Sequence, residues 1–369
     1  FPFMNIKAKN RKLRILNIYN LAQKLNHRIY NLSLGKKFTN GLIRNGHDVI
    51  EISDRDYVRQ NKSIGFLNKN KFHEYLIETS KNYNPDLILF GHSDNITENI
   101  IYDFRSLNKN IVISQWNEDP LMGGLSDNND NLHKLNKFIP LVDHSFITTS
   151  PSALNFFDNE KNNTHFLMTP VDRNIECFDV FNLNPKNDVF YAMSHGVNRA
   201  VLKQGKIDSR VNFLDKLVKK SVGIKFDFYG VGKQEPVWGN DFYKSLLNSK
   251  MALNLSRGKP TKYYSSNRIA SLMGNGLLTF IDEKVCMNDF FSNKEIIFYK
   301  NINDLSEKIN FYSKKDDLRK KIAYNGKKKY FKLFNETRIS KYLIDISFGK
   351  NVSLFWWVIY KLKYHSYLG

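Results

Sequence analysis

The chain has 369 residues, 41% of them apolar, and a formal net charge of +20, which is length and apolar content enough for two domains with cores of their own. A field of that sign favours anionic partners, whether nucleic acid, acidic lipid or phosphorylated metabolites, and does not choose between them. Two cysteines, Cys177 and Cys286, stand far apart, which argues against a disulfide framework or a zinc site and fits a reducing compartment; no run of 18 apolar residues marks a spanning helix, and the FPF before Met4 lacks the long apolar segment of a signal peptide.

Leu13 to Tyr19 (LRILNIY) is an apolar run after basic residues, the pattern of a buried first strand. Helical spacing follows through Leu34, Phe38, Leu42 and Ile43, closed by Gly46, and Val49 to Ile52 begins a second strand. Strand, helix, turn and strand form a βαβ unit. Gly35 and Gly41 permit close approach of a ligand or another backbone, but no GxGxxG occurs. Phe72 to Tyr83 reads as helix. Further strands are expected at Asp86–Phe90, Ile111–Gln115, His144–Thr148 and His165–Met168. The alternation specifies a mostly parallel α/β sheet. Two strand-end loops hold groups able to take a proton from a hydroxyl: GHSDNIT with His92, and WNEDP with Glu118 and Asp119. Such residues are equally ordinary as solvated turn chemistry. The insert Leu121 to Asn131 reads as polar loop, able to cover an acceptor site.

The texture changes between Arg173 and Lys186, where a domain boundary is expected. Val189 to Met193 restarts the strand pattern and feeds into SHGVNR. His195 and Gly196 then lie at a sheet edge. Arg199 and Lys203 share a helix face if a helix starts near Gly196, and both can engage a phosphate. Ile224 to Tyr229 is a strand followed by GVGK, which lacks the rest of a Walker A loop and reads as a turn. The stretch Tyr243 to Ile281 reads as helix, strand, basic loop, helix and strand. Its loop, RGKPTKYYSSNR, carries Arg257, Lys259 and Lys262, and Tyr263 and Tyr264 that can stack on a base or bond a phosphate. Ser265, Ser266 or Asn267 can cap the next helix. Arg268 falls in that helix's first turn, a poor place for a cation unless an anion or a neighbouring carboxylate compensates it. Ile296 to Tyr299 is a last strand, and Asn303–Phe311 and Leu318–Phe334 are helices, with Lys327 to Lys329 read as a wetted face. The closing SLFWWVIYKLKYHSYLG mixes aromatics with Lys361 and Lys363, as an interfacial anchor does.

From GKKFTNGLIRNGHDV through HFLMTPVD, SHGVNR and FYKSLLNSKMALNLS to SSNRIASLMGNGLL, the chain resembles the nucleotide-sugar glycosyltransferases of the GT-B class, and more narrowly the group-1-like transferases of bacterial surface polysaccharide and lipooligosaccharide synthesis. The resemblance implies two Rossmann-like parallel-sheet domains facing across a cleft: residues 1–175 for the acceptor, residues 176–340 for the donor, and a helical tail, 341–369, crossing back to the first domain or touching a membrane. It implies transfer of a sugar from a nucleoside-diphosphate sugar to a hydroxyl of a glycan or glycolipid, with no separate cofactor, in the cytoplasm or on the inner face of the cell membrane.

Proton-transfer candidates are then His92, Glu118 and Asp119. Donor-binding candidates are His195, Gly196, Arg199, Lys203, Arg257 and Lys259, together with Tyr264, Ser265, Ser266, Asn267, Arg268 and Ser271. Family members commonly present R-x-F-E-A-L-A-x-G, whose Glu contacts the donor ribose; here Arg268 to Gly276 align with it and Ser271 stands in place of the carboxylate. A hydroxyl still bonds a ribose, less strongly. No metal motif of the DxD kind stands in a convincing context, so a metal-independent reaction is expected. The alternatives are a basic nucleic-acid-binding protein, for which no helix-turn-helix, zinc-finger or RNP pattern is present, and a non-catalytic polysaccharide-assembly subunit.

Overall fold

The structure, a computed structural model, describes residues 12–21, 33–61, 69–122, 126–151, 163–193, 208–232, 234–350 and 352. The first lobe runs β1 (Arg14–Tyr19), α1 (Leu34–Arg44), β2 (Asp48–Ser53), α2 (Asp54–Gln60), α3 (Lys69–Tyr83), β3 (Leu87–Gly91), α4 (Glu98–Leu107), β4 (Val112–Asn117), α5 (Ser126–Phe138), β5 (His144–Ile147) and β6 (Thr164–Phe166). Its six strands among the described residues are all parallel, in the order β2-β1-β3-β4-β5-β6. β1 and β3 are buried over nearly their whole length, because helices cover both faces of a parallel sheet; this is why β3 reads as an unbroken apolar run and β1, from Ile15, as one interrupted only by the buried Asn17.

The second lobe runs β7 (Asn187–Ala192), α6 (Ser209–Lys220), β8 (Phe226–Tyr229), α7 (Gly239–Leu247), β9 (Ser249–Asn254), α8 (Arg268–Gly274), β10 (Leu278–Asp282), β11 (Ile297–Tyr299), α9 (Ile302–Ser313), α10 (Asp316–Phe334) and α11 (Glu336–Ser347). Among the described residues its five parallel strands lie in the order β11-β10-β9-β7-β8. Gly230 and Gly232 turn the chain after β8 with φ of +73° and +59°. A Cβ on Gly230 would stand 1.9 Å from the Met193 carbonyl oxygen, so these glycines serve a turn.

The lobes are joined by packing as well as by chain. After α10, α11 returns to lie against α1 of the first lobe, where a Cβ on Gly41 would meet the Glu336 carbonyl oxygen at 2.1 Å. Tyr342 Oη donates to Phe166 O at 2.9 Å, and Val171 N donates to Phe334 O at 2.9 Å. One apolar cluster runs from Phe38, Trp116 and Phe166 into Ile269, Phe290 and Phe334.

Several elements differ from the reading above. α2 and α4 were not foreseen, and α5 begins at Ser126 inside the expected loop 121–131. Thr97 caps α4 by accepting from Ile100 N, with Glu98 in the first turn, a start signal of the usual kind. α6 starts at Ser209 under Asp208, whose side chain accepts from Arg210 N; the helix expected near Gly196 lies outside the described residues, as do residues 353–369 of the tail. In the run Lys327 to Lys329, Lys328 is exposed as expected, while Lys327 and Lys329 are partly buried and pair with Asp179 and Glu295. Among the described residues no helix is long and apolar enough to cross a membrane.

Candidate active site

In an open parallel sheet, ligands bind beyond the carboxyl ends of the strands, where the order reverses. β1 is flanked by β2 and β3, and β7 by β8 and β9, so each sheet has one such crevice in its interior. Asn20 follows β1 and His92 follows β3; Ala192 ends β7, and Leu255 follows β9. Asn20 and His92 from the first crevice and Ala192 and Met193 from the second line one cleft of about 300 Å³ between the lobes, a volume at the small end for a ligand pocket.

The first-lobe wall carries the acid–base groups. β3 and β4 are neighbours in register, Gly91 opposite Trp116, so the residues after them meet. A Cβ on Gly91 would stand 2.2 Å from the Trp116 ring; only glycine leaves the indole its place. His92 Nδ1 lies 3.5 Å from Asp119 Oδ2. Burial pulls the His92 imidazole down, but Asp119 and then Glu118 outweigh it and hold the pKa up to about 9. Burial would raise Asp119; the bond and charge of His92 instead hold it below the ordinary carboxylate value. Burial raises Glu118, with His92 opposing and Asp119 reinforcing the rise. Near neutral pH the wall therefore holds an imidazolium–aspartate pair beside a carboxylate more basic than usual.

That pair sets a pH dependence. A histidine whose folded pKa is raised from 6.5 to about 9 contributes stability that is fully present below 6.5 and lost as pH rises through about 9. Thermal melts from pH 6 to 10 are expected to fall more steeply for the parent than for His92→Gln; identical slopes would remove the pair from the account.

On the second-lobe wall, Arg268 spans the crevice between β7 and β9. Its Nε donates to Ala192 O at 3.1 Å and its Nη1 to Leu255 O at 3.0 Å, and the guanidinium lies 5.0 Å from the centre of the Tyr191 ring. The carbonyls at the strand ends and the tyrosine face thus compensate the cation in the first turn of α8. Tyr191 Oη also accepts from Arg210 Nη1 at 3.2 Å, and Arg210 is held by Asp208 at 2.7 Å. Burial, then the charges of Asp119 and Glu118, push the Tyr264 hydroxyl far up, so it faces the cleft as a neutral phenol. Val237, Trp238 and Phe242 add an apolar, aromatic surface.

The cleft brings together His92, Glu118, Asp119, Tyr264, Ser266, Asn267, Arg268 and Ser271. It leaves out others. Ser265 is buried, its Oγ accepting from Asn254 Nδ2 at 2.9 Å. Arg257 lies near Asp208, whose carboxyl it helps to lower, and does not line the cleft; Lys259 is exposed and does not line it either. Capping of α8 differs as well: Asn267 is helical and makes no side-chain cap bond, and its Oδ1 accepts from Lys37 Nζ at 3.0 Å. Tyr263 is no stacking platform; it packs in the core against Phe166 and Phe290, its hydroxyl bonded to Asp289. His195, Gly196, Arg199 and Lys203 lie outside the described residues. Trp116, of the expected WNEDP loop, lines the cleft too, and Asn20 and Trp238 line it unforeseen. The strand-end rule applied to β1 would have found Asn20; Trp238, in a loop, carried no signal. Among the described residues no group of three or more His, Cys, Asp or Glu is arranged to hold a metal.

Two parallel-sheet lobes with facing carboxyl edges and a helix, α11, that returns to the first lobe make this a GT-B fold, that of a class of glycosyltransferases. A family model described as glycosyl transferase-like matches residues 209–344, in the second lobe and the returning helix. Among solved structures, an α-glucosyltransferase in complex with UDP and a 13-mer DNA containing a HMU base is similar at 13% identity and a TM-score of 0.64, over 91% of this chain and 100% of that one. HepE from Anabaena, in complex with UDP and glucose, is similar at 12% identity and 0.52, over 90% and 98%. Sucrose-phosphate synthase from Thermosynechococcus elongatus is similar at 13% and 0.56, over 91% and 98%. No curated protein matches the sequence.

Proposed function

We propose that the protein transfers a sugar from a nucleoside-diphosphate sugar to a hydroxyl of a glycan or glycolipid, in the assembly of cell-surface polysaccharide. The observation that carries this reading is the opposition, across one cleft, of a carboxylate–imidazolium wall beyond β3 and β4 and the Arg268 guanidinium at the switch point of the second sheet. The acceptor lies toward residues 1–175 and the donor toward residues 176–340. The acceptor oxygen bonds to the anomeric carbon while the bond from that carbon to the diphosphate breaks, and the diphosphate leaves with the electron pair. The acceptor proton passes to Glu118, the more basic carboxylate. Arg268 meets the charge developing on the diphosphate, a role that preorganised cations fill well. His92 and Asp119 fix the wall electrostatically. The nucleotide base lies against Val237, Trp238 and Phe242, and Ser271 and Ser266 offer hydroxyls to the ribose. UDP is the first nucleotide to try, because the α-glucosyltransferase and HepE structures hold it. The aromatic and basic tail, residues 355–369, gives the enzyme its contact with an anionic membrane surface.

Loss of a hydrogen bond to a charged group costs about 1.5–3 kcal/mol, so Arg268→Ala is expected to weaken diphosphate binding about ten- to a hundredfold. Calorimetry with UDP and UDP-glucose checks this, with Arg268→Lys and a melting curve to separate binding from folding. Equal sugar-transfer kinetics in mutant and parent would count against the role.

A second reading places the acceptor hydroxyl on nucleic acid. The net charge of +20 and the DNA in the α-glucosyltransferase complex favour it. Transfer of label from UDP-glucose to DNA, and none to glycolipid or glycan, would decide for it.

A further inference from the structure

Asn20 stands at the carboxyl end of β1, at the switch point of the first sheet, and lines the cleft. It is 2% exposed, and among the described residues neither its Oδ1 nor its Nδ2 has a hydrogen-bond partner. Trp116, on the neighbouring wall, is 3% exposed, and its Nε1 is likewise without a partner. Buried polar groups in folded proteins are almost always satisfied, and an unmade bond there costs about 1–3 kcal/mol.

The missing partners have a definite chemistry. Trp116 Nε1 and Asn20 Nδ2 donate, so they need oxygen acceptors; Asn20 Oδ1 accepts, so it needs a donor. A phosphate or a carboxylate offers acceptors alone and leaves Oδ1 unmet. A pair of adjacent hydroxyls supplies a donor and an acceptor to one amide face. Glu118 and Asp119 line the same cleft. Among the described lining residues the cations are His92, already paired with Asp119, and Arg268, at the diphosphate. Among the described lining residues an acidic sugar ring would meet two carboxylates and no cation without a role already.

We infer that this corner of the cleft binds the transferred sugar of the donor, that this sugar is neutral and carries un-ionised vicinal hydroxyls, and that Asn20 selects it. The inference rests on the glycosyltransferase reading.

Calorimetry of the full chain with UDP, UDP-glucose, UDP-galactose and UDP-glucuronate tests it, on the parent and on Asn20→Ala and the isosteric Asn20→Asp, with melting curves for each. The parent is expected to bind one of the two neutral sugar nucleotides about tenfold or more tighter than UDP-glucuronate, one to two hydrogen bonds' worth. Both variants are expected to lose about tenfold for that sugar nucleotide and to hold UDP within about twofold. Equal or tighter binding of UDP-glucuronate by the parent overturns the inference. So does a loss shared equally between UDP and the sugar nucleotide, which marks Asn20 as structural, or no loss at all, which marks water as its partner. In those cases UDP still binds and the transferase reading stands. If the parent binds neither UDP, GDP and ADP nor their hexoses, the transferase reading fails and takes this inference with it.

Discussion

Glu118→Gln is expected to lower the turnover number for sugar transfer by about 10²–10⁴-fold, the usual contribution of a positioned general base, while leaving donor affinity almost unchanged. Glutamine keeps the shape of the side chain and cannot take a proton. Glu118 stands directly beyond β4, beside Asp119 and opposite Tyr264 and Arg268 along one cleft. Its carboxyl is raised by burial and by Asp119, although His92 and Lys37 pull it down; a raised carboxylate is the better base. Asp119 is the poorer candidate, because His92 holds it below the ordinary value. The same shift fixes the acid limb of the pH–rate profile. Activity that needs ionised Glu118 is lost as pH falls through its folded pKa, which lies above the ordinary 4.5. Turnover at saturating donor between pH 4 and 8, for parent and mutant, checks both statements. A Glu118→Gln enzyme with parental turnover would move the base to another group.

The sheets were legible because parallel strands are buried on both faces. DLILF, IVISQ, MALNL and LLTFI are strands in the structure to within one or two residues at each end. Looking beyond those strands then found three residues that line the cleft, His92, Glu118 and Asp119, without any contact being known. α4 escaped although it buries Ile100, Ile101 and Phe104 behind a Thr97 cap; the other two helices that escaped have little to bury: α2 has Val58 as its buried apolar residue, and α5 runs through SDNNDNLHKLNKF with Leu135 in the core. Their apolar pattern is too thin to separate from a polar loop. Side-chain fates that depend on distant partners were not legible at all. Arg268 looked like a cation in want of an anion because Ala192, whose carbonyl it bonds, is 76 residues away. Lys327 looked solvated because Asp179 is 148 residues away. Local sequence gives a residue's place on its own element; the charge it faces comes from another.

Lys37 is the extreme of that rule, and its removal is expected to be the costliest change in the fold. It sits in the GKKF of α1, reads as one more lysine, and is fully buried. Its Nζ donates to Glu176 Oε1 at 2.7 Å, to Pro170 O at 3.0 Å and to Asn267 Oδ1 at 3.0 Å. Three elements therefore meet on one ammonium: the first-lobe helix, the strand-to-strand connection after β6, and the residue that opens α8. Glu176 is also buried, and its Oε2 accepts from Asp172 N at 2.7 Å. Burial pushes its carboxyl up and Lys37 pulls it back, so without Lys37 it must protonate or remain a lone buried charge. Lys37→Met is thus expected to cost about 3–5 kcal/mol, as breaking a buried ion pair does. Replacing both partners is a different experiment, since two apolar side chains avoid the desolvation that the pair must overcome. Lys37→Met with Glu176→Met is expected to regain most of the stability measured by urea unfolding. It is not expected to regain donor binding, because Asn267 lines the cleft beside Arg268 and loses its bond from Lys37 in both variants. Stability and donor affinity should therefore part company in the double mutant. Recovery of both together would mean that Lys37 acts on the cleft only through the fold, and a cost below about 1 kcal/mol for the single mutant, the range of exposed pairs, would mean that the pair is not buried in solution.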